Sequence, residues 1–355
     1  MMDNEKLGAA LAKIAEMPAW REAFVRHLLA FENDIVMPGV DLREDVTGPL
    51  VDALFRESEL VRKTLSNGAV FEFLYRSKIA RDFVMSEPSV PDHAWEPQTS
   101  RIVVELAKRA RQVVVGGAYF GDHAILIARE IAAREGVVHA FEPNTEQRGQ
   151  LIRNAELNGL GNVVPRSEGL WNSSSASLRL VGYDSFASVE SAEAGADGAF
   201  QTVTIDDYLT SAGITDLDLI VLDIEGAELA ALQGATSFLS RPAGQAPDIV
   251  FEVHRHYVDW TNGLADTEIG RFLTTHGYQL FALRDFNSNV DLSGKPIELI
   301  PHDAVHLDGP PHGFNMVAVK DASIFQGPTY CLVRDVSPKL LRHKDPSLHH
   351  PVGGL

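Results

Sequence analysis

The feature that most constrains the fold of this chain is a short apolar strand that runs into glycines and then into a helix. Residues 113–115 are valines, residues 116–121 form a turn with three glycines, and residues 122–135 read as an apolar helix. A second apolar strand at 137–141 ends at Glu142. Strands that alternate with helices at this spacing predict a parallel sheet with helices on both faces.

The same alternation continues toward the C-terminal part of the chain. Further helices are predicted at 99–110, 145–157, 227–239 and 267–276, and further strands at 163–167, 217–222 and 249–253. The last two strands, 279–283 and 315–319, are joined by a long loop over 284–314, which allows an antiparallel pair at the sheet edge. We therefore predict an α/β fold, with a Rossmann-like sheet, helices on both faces and an antiparallel edge strand.

Two regions flank this predicted Rossmann-like domain, which covers residues 95–322. Residues 1–94 are predicted to be an α-helical N-terminal region without a chemical motif, and their apolar faces are assigned to the core by default. A dimer face and a cover over a binding site are the open alternatives for these helices. The helices are expected at 5–32, with a break near Pro18, at about 51–65 and at 70–80, followed by a linker at 86–91.

Residues 323–355 are predicted to be a C-terminal extension. Their last part, 337–355, is rich in proline, histidine and glycine, so we expect it to be loosely held.

Composition excludes several classes of protein. The 49 acidic and 31 basic residues give a net charge of −18, which disfavours nucleic acid as a partner. The single cysteine, Cys331, excludes an intrachain disulfide framework and fits a reducing compartment. The first residues lack the order of a signal peptide, and no apolar stretch approaches the ~20 residues of a membrane span. We expect a cytoplasmic protein that binds neither nucleic acid nor membranes.

The glycine turn and Glu142 together predict a site for a nucleoside-containing cofactor. Glycine lets a ligand approach the backbone, and the helix that follows the turn presents free N–H groups. Glu142 lies 21 positions beyond Gly121 at the tip of the second strand, where a carboxylate is placed to accept hydrogen bonds from both hydroxyls of a ribose.

Glycine spacing decides between the cofactor classes. A dinucleotide site follows the pattern G-x-G-x-x-G, whereas the glycines here are at 116, 117 and 121. A class I methyltransferase needs no pyrophosphate contact, because its turn holds the methionine part of S-adenosylmethionine. An NAD-linked oxidoreductase is the alternative that the spacing disfavours.

Six sequence blocks between about residues 95 and 320 carry a family resemblance. They are Gly117-Ala118-x-x-Gly121-Asp122, Phe141-Glu142-Pro143-Asn144, Asn154-x-x-x-Asn158, Thr204-Ile205-Asp206-Asp207-Tyr208, Asp223-Ile224-Glu225-Gly226-Ala227-Glu228 and Glu252-Val253-His254. Together they resemble the FkbM family of S-adenosylmethionine-dependent methyltransferases, many of which methylate hydroxyls on sugars or polyketides. The resemblance implies a class I methyltransferase that methylates a hydroxyl of a small molecule or glycan.

The chain departs from the family pattern at two positions. Val115 stands where the family has an acidic residue that helps to hold the cofactor, so Glu96 becomes a candidate for the ammonium contact. Val221 stands where the family has a lysine. These departures keep open a third reading, a relative that binds the cofactor without transferring a methyl group.

The resemblance implies a set of cofactor-binding residues. The turn supplies backbone, Glu142 binds the ribose, and the end of the third strand contacts adenine, although an exposed loop acid is an equal reading of Glu168. Tyr119 and Trp95 either pack on the cofactor or are buried aromatics. The candidates are Glu96, Gly117, Ala118, Tyr119, Gly121, Glu142, Asn144, Glu168, Gly169 and Asp223.

A hydroxyl acceptor needs a general base or a metal to ease proton loss. The candidates for catalysis are His254, Asp223 and Glu252, and His254 is favoured as the base because imidazole titrates near neutral pH. A histidine held by a backbone carbonyl is the alternative. The same acids could hold a divalent metal, which we do not favour, and we predict no metal site.

The 284–314 loop carries three histidines and is predicted to be a substrate lid, with a zinc site as the less favoured alternative. Its histidines are His302, His306 and His312. We expect a small-molecule or glycan acceptor, and a homodimer remains open.

Overall fold

Helices and strands alternate along most of the described chain. The computed structural model describes residues 4–35, 37–86, 91–181, 188–193, 195–308 and 313–353. Its α-helices are α1 (Asn4–Ala15), α2 (Pro18–Asp34), α3 (Gly48–Asp52), α4 (Lys78–Val84), α5 (Pro97–Ala107), α6 (Asp122–Ile131), α7 (Thr145–Leu157), α8 (Ile205–Ser211), α9 (Glu228–Gln233), α10 (Thr236–Leu239) and α11 (Glu268–Thr275).

The β-strands form one large sheet, one smaller sheet and two short ribbons. They are β1 (Leu60–Thr64), β2 (Val70–Leu74), β3 (Gln112–Gly116), β4 (Val137–Phe141), β5 (Val163–Arg166), β6 (Gly169–Leu170), β7 (Ser177–Val181), β8 (Ser188–Ser191), β9 (Ala199–Val203), β10 (Leu219–Leu222), β11 (Asp248–Val253), β12 (Gln279–Leu283), β13 (Asp285–Phe286), β14 (Ile297–Pro301), β15 (Phe314–Val319), β16 (Tyr330–Leu332) and β17 (Lys339–Leu340).

The central sheet confirms the predicted Rossmann-like α/β fold. Within the described residues its strand order is β16-β14-β12-β15-β11-β10-β3-β4-β5, and the five strands from β11 to β5 run parallel. Val113 and Val115 belong to the apolar cluster on one face of the sheet, and Val114 to the cluster on the other. The strand order reverses between β3 and β10, which is where sheets of this type bind ligands, beyond the carboxyl ends of the strands.

The antiparallel pair is present, but its predicted place at the sheet edge is wrong. β15 lies between β11 and β12 and is antiparallel to both. Residues 284–314 are not one loop, because they include β13 and also β14, which adds a further strand next to β12. Pro296 and Pro301 flank the apolar core of β14, and prolines at both ends made this strand resemble a loop.

A second sheet lies where no element was predicted. Strands β6, β9, β7 and β8 pair in that order, with β6 parallel to β9 and the other neighbours antiparallel. These four strands lie between β5 and α8 in the sequence, and the first of them follows the end of the third parallel strand.

The N-terminal region combines helices with a β-hairpin. The helix break near Pro18 is confirmed by α1 and α2, but the helices predicted over 51–65 and 70–80 are wrong for most of their length. β1 and β2 pair there as an antiparallel hairpin around Asn67-Gly68, with Gly68 at φ +82°. Asn-Gly is a strong hairpin signal, and the pairing buries Phe71 and Phe73 against the ring of Phe120 at centroid distances of 6.0 and 5.8 Å.

Asn154 on α7 and Asn158, which directly follows this helix, attach the hairpin to the sheet domain. Asn158 accepts from the N–H of Val70 and donates to its carbonyl, at 2.9 and 2.7 Å. One helical turn earlier, Asn154 accepts from the N–H of Glu72 and donates to the carbonyls of Glu72 and Phe120. Because residues four apart share one face of a helix, the Asn-x-x-x-Asn block serves as a pairing edge for β2.

The C-terminal segment is anchored, so the expectation that 337–355 is loosely held is wrong over its described part. β17 pairs in parallel with β13, and Ser337 and Leu340 are buried. Arg342 donates to Glu32 on α2 at 3.3 Å, which ties the two ends of the chain together. The predicted linker at 86–91 falls mostly outside the described residues.

None of the described helices combines the length and the apolar character that a membrane span requires.

We expect Asn154→Ala to lower the free energy of unfolding by about 3 kcal/mol or more, because it leaves three backbone groups without their buried partner, at about 1–3 kcal/mol each. Urea denaturation would measure the change. Asn172→Ala, at an exposed amide, is the matched control. A loss below about 1 kcal/mol would contradict the anchoring role of Asn154.

Candidate active site

The bend between β3 and α6 brings three backbone segments into close contact. Gly117 has φ +71°, and a Cβ there would overlap the carbonyl oxygen of Asp223 at the end of β10. Gly121 has φ +96°, and a Cβ there would lie 2.8 Å from the side chain of Leu151 on α7. Both positions therefore require glycine, for conformation and for space. Ala118 between them is buried, and Tyr119 adopts a left-handed conformation at φ +44°.

Glu142 follows β4 directly, and its side chain bonds to the backbone of the bend. Its carboxylate accepts one hydrogen bond from the N–H of Tyr119 and one from the N–H of Asn144, both at 2.9 Å. The side chain is only 6% exposed, and burial raises its pKa against the effect of these N–H groups. Each carboxylate oxygen retains a lone pair, since each accepts one bond from the backbone.

Two other residues of the predicted cofactor site, Asn144 and Glu168, already bond to other groups of the protein. The side chain of Asn144 caps α7 by accepting from the N–H groups of Glu146 and Gln147, so its contact with Glu142 is through its backbone. Glu168 is half-buried and paired with Arg166; burial opposes ionisation, but this ion pair lowers the pKa of Glu168.

Gly169 lies on β6, next to Glu168. A Cβ there would overlap the ring of Phe200, so the structure gives this glycine a packing role.

Asp223 directly follows β10 at the carboxyl ends of the strands, where sheets of this type form a ligand-binding crevice. Solvent reaches its side chain, yet the surrounding protein is dense enough that burial is the main cause of a pKa raised to about 7. The negative charges of Glu96 and Asp122 add to this shift. An acid that is exposed and still surrounded by protein marks a concave site.

Glu96 and Glu252 belong to the same acidic group. Glu96 precedes α5 with φ +43° and is 6% exposed, and its carboxylate accepts from Asn315 at 2.5 Å. Asn315 on β15 is in register with Glu252 on β11, which places the two side by side in the sheet. Burial, and then repulsion from Asp223 and Glu96, raises the pKa of Glu252 well above its usual range.

Lys339 is a functional candidate that the sequence did not reveal. It lies on β17, is 1% exposed, and its Nζ is 3.4 Å from Oε1 of Glu96. Its positive charge lowers the pKa of both Asp223 and Glu252, against burial. The residues around Lys339 form no recognisable motif, so the sequence does not predict a role for it. Lys339 reaches the acids only because β17 pairs with β13.

His254 lies at the end of β11, beside Glu252. A Cβ on Gly313 would overlap the Glu252 carboxylate and lie 2.9 Å from the His254 ring, which shows that the two side chains are adjacent. The Nδ1 atom of His254 accepts from the N–H of His256 at 3.0 Å, so the neutral imidazole carries its proton on Nε2. Burial, His256 and Lys339 lower the pKa of His254.

The buried carboxyl of Glu228 organises the turn after β10. It accepts from the N–H of Ile224 at 2.9 Å and of Gly226 at 3.4 Å. Burial raises the pKa of Glu228 to about 7, although these N–H groups oppose the shift. Glu228 thus begins α9 and fixes the backbone that carries Asp223.

The histidines of the predicted lid do not converge. His302 faces the carbonyl of Leu280 at 3.3 Å, and His306 stacks on His350 with ring centroids 4.5 Å apart. His312 lies outside the described residues. Within the described ranges, the structure contains no group of three or more His, Cys, Asp or Glu side chains arranged for a metal ion.

The order of the parallel strands and the helices that connect them define a Rossmann-like α/β fold. Residues 116–280 match the family model described as the methyltransferase FkbM domain. This match confirms the resemblance to the FkbM family seen in the six sequence blocks.

Solved structures similar to this chain include three methyltransferases. A methyltransferase FkbM from Methylobacillus flagellatus KT is 15% identical, covers 59% of this chain and has a TM-score of 0.34; this chain spans 43% of its length. A putative O-methyltransferase from Klebsiella pneumoniae is 18% identical, with 63% and 79% coverage and a TM-score of 0.35. An O-methyltransferase from Bacillus cereus in complex with SAH is 17% identical, with 66% and 86% coverage and a TM-score of 0.36. No curated protein matches the sequence.

The raised pKa of Glu228 predicts a specific pH dependence of stability. Its native pKa of about 7 exceeds the unfolded value of about 4.3, so the native state binds more protons between these values and stability falls as pH rises from about 4 to about 7. Glu228→Gln should remove this contribution, so that the variant gains about 3–4 kcal/mol of stability relative to wild type when the pH is raised from 4 to 8.

Urea denaturation at both pH values would measure this gain. Glu156→Gln, on the exposed face of α7, should leave the pH dependence of stability unchanged. An equal pH dependence in wild type and Glu228→Gln would show that the native carboxyl titrates normally.

Proposed function

We propose that this protein is an S-adenosylmethionine-dependent O-methyltransferase that acts on a hydroxyl group of a sugar, a polyketide or another small molecule. The observation that carries the proposal is the Glu142 carboxylate, which two backbone N–H groups hold beside the glycine bend while a lone pair on each oxygen stays open. A carboxylate in this place accepts hydrogen bonds from the two hydroxyls of a ribose.

The residues around the bend fit such a cofactor. Gly117 and Gly121 allow the backbone to form the bend, and Glu142 would hold the ribose. The amino-acid end carries an ammonium group, and the Glu96 carboxylate is our candidate for its partner. When bound, S-adenosylmethionine supplies an electrophilic methyl group, and the protein's main task is then to position the acceptor in line with it.

Asp223 is the group that we propose as general base. Its pKa of about 7 is matched to proton transfer near neutral pH, and solvent reaches it in the crevice. His254 fits a donor better, because the bond from the N–H of His256 leaves the proton on Nε2. A base role for His254 stays a prediction that requires the imidazole to give up this bond. The raised pKa of Glu252 favours its protonated form, which also suits a donor.

The two alternative functions differ from this proposal in the cofactor that binds or in whether a methyl group is transferred. An NAD-linked oxidoreductase would bind NAD across the bend, which the glycine spacing disfavours. A non-catalytic relative would bind S-adenosylmethionine without turnover; Val115 and Val221, which motivate it, are both buried in the apolar core. The acidic composition supports a small-molecule acceptor over a nucleic acid.

Glu142→Gln should weaken binding of S-adenosylhomocysteine by about 1.5–3 kcal/mol, because an amide cannot accept two hydroxyl bonds in place of a carboxylate. Isothermal titration would measure the affinity, with Glu146→Gln on the exposed start of α7 as the control. Stabilisation of the wild-type protein by NAD and not by S-adenosylhomocysteine would refute the proposed cofactor.

Asp223→Asn should lower turnover by about 100-fold or more, since general bases contribute about 10²–10⁴. In the wild type, kcat/KM should rise with pH and level off above about 7, because the base must be deprotonated. Transfer of a labelled methyl group to a hydroxylated acceptor would report both effects. A variant that keeps the wild-type rate and pH profile would remove Asp223 from this role.

A further inference from the structure

Polar side chains continue one apolar face of the central sheet at the carboxyl ends of its parallel strands. The apolar cluster on this face includes one valine from each of three neighbouring strands, namely Val221, Val250 and Val317. Two residues nearer the crevice, the same three strand lines carry Asp223, Glu252 and Asn315, which we call the polar row. Side chains two residues apart on a strand point to the same face, so the polar row lies on the face of the valines.

The strand register makes the members of the polar row direct neighbours. Glu252 pairs with Asn315 across β11 and β15. The register of β10 with β11 places Asp223 beside Glu252, one step beyond the last pair of these strands. The N–H of Asp223 bonds to the carbonyl of Gly116 at 3.1 Å, which continues the ladder of β10 with β3 past the end of the strand. Two carboxyl groups therefore stand side by side on adjacent strands.

Glu96 extends the polar row, and Lys339 contacts Glu96. One carboxylate oxygen of Glu96 accepts from Asn315 at 2.5 Å, and the other lies 3.4 Å from the Nζ atom of Lys339. The amide of Asn315 also donates to the hydroxyl of Thr99, which in turn donates to Asp285 at 2.9 Å. Asp285 and Lys339 are paired in register in the ribbon of β13 and β17. This closed set of contacts fixes the position of the Lys339 ammonium relative to the row.

Most of the charged groups around Asp223 are acids. After burial, the negative charges of Glu96 and Asp122 raise the pKa of Asp223, whereas His123 and Lys339 lower it. The titratable groups that act on Asp223 come from five elements and from the residue before α5, and they are Glu96, Asp122 and His123 on α6, Glu228 on α9, Glu252 on β11 and Lys339 on β17.

Lys339 is the cation that acts on both carboxyl groups of the polar row. It lowers the pKa of Glu252 as well as that of Asp223, against burial in each case. An ammonium group keeps its charge across the neutral range, whereas an imidazole loses its charge there. At neutral pH the balance of charge in the row therefore depends on Lys339 more than on His123.

We propose that Lys339 is a positioning residue for the proposed methyl transfer: held on Glu96 by the ribbon of β13 and β17, it balances the charge of the polar row so that Asp223 can accept the proton of the acceptor hydroxyl at neutral pH. The inference rests on the proposed function. Lys339 is 1% exposed and acts through the row, without touching the acceptor. The C-terminal segment is then a part of the active site.

The direct test measures the titration of Asp223 in the full chain, without turnover. Carbon-13 NMR of labelled aspartate carboxyls reports it, with Asp223→Asn for assignment. Lys339→Gln keeps a donor for Glu96 but removes the charge, and it should raise the midpoint of the Asp223 titration by about one pH unit, since a nearby opposite charge typically lowers a carboxyl pKa by about 1–3. Lys339→Arg should keep the wild-type midpoint. Glu252→Gln removes a like charge and should lower the midpoint by about one pH unit.

Turnover should follow the same titration. In Lys339→Gln, kcat/KM should fall about fivefold at pH 7 and recover at about pH 9, because about half of a base with a pKa of about 7 is ionised at pH 7, and about a tenth of one with a pKa one unit higher. Lys320→Gln is the matched control. Lys320 follows the other end of β15, where its Nζ donates to the carbonyl of Arg241 at 2.6 Å, and its loss should change neither profile.

The variants separate a role of charge from a role of packing. An unchanged Asp223 midpoint in Lys339→Gln, or an equal rise in Lys339→Arg, would overturn the proposal. A loss of turnover in Lys339→Gln that is the same at every pH would also overturn it. Lys339→Met, of similar volume and without charge, takes the place of Lys339→Gln if that variant does not fold, with the same expected rise. A wild-type protein that transfers no methyl group would refute the proposed function, while the carboxyl titration would still decide whether Lys339 sets the charge of the polar row.

Discussion

The close approach of the ends of β3 and β10 determines the rest of this structure. At Gly117 the backbone of the bend passes so near the Asp223 carbonyl that no side chain fits between them. The bend then continues through Tyr119 and Gly121 with positive φ values, and it presents an N–H group to the Glu142 carboxylate. Backbone conformations of this kind persist only where neighbours hold them, and here the neighbours are the ends of two adjacent strands and the start of α7. Glu142 is thus positioned by the same contacts that form the sheet.

Charge balance is the second constraint on the crevice. The negative charge of Glu96 adds to burial in raising the pKa of both Asp223 and Glu252, and the burial that makes a specific site also makes this repulsion stronger. Lys339 is the buried cation that opposes it, and it arrives on a strand 243 residues beyond its partner Glu96. A cationic ligand beside these acids would oppose the repulsion in the same way as Lys339 does, whereas a neutral ligand would not. This electrostatic preference agrees with a sulfonium cofactor.

The sequence predicted what local patterns encode. β4 and α7 begin and end at the expected residues, because alternating apolar runs and helix-capping residues are local signals, and the bend with Glu142 follows from spacing within about 30 residues. Elements that depend on distant partners were missed. The hairpin around Asn67-Gly68 has its turn signal in the sequence. The spacing of its apolar residues nevertheless predicts helices, and only its β-branched and aromatic residues indicate strands. Lys339 could not be placed at all, since its role requires β17 to pair with β13, and nothing in the residues beside it encodes that pairing.

The N-terminal and the C-terminal regions both contact the sheet domain, and they also contact each other. The hairpin buries Phe71 and Phe73 against Phe120, which lies in the glycine bend itself. The C-terminal segment reaches the other side of the crevice through Lys339 and then joins the N-terminal helices through the pair of Arg342 and Glu32. Both terminal regions therefore contact the glycine bend or the acids directly, although both lie outside residues 116–280, which match the family model.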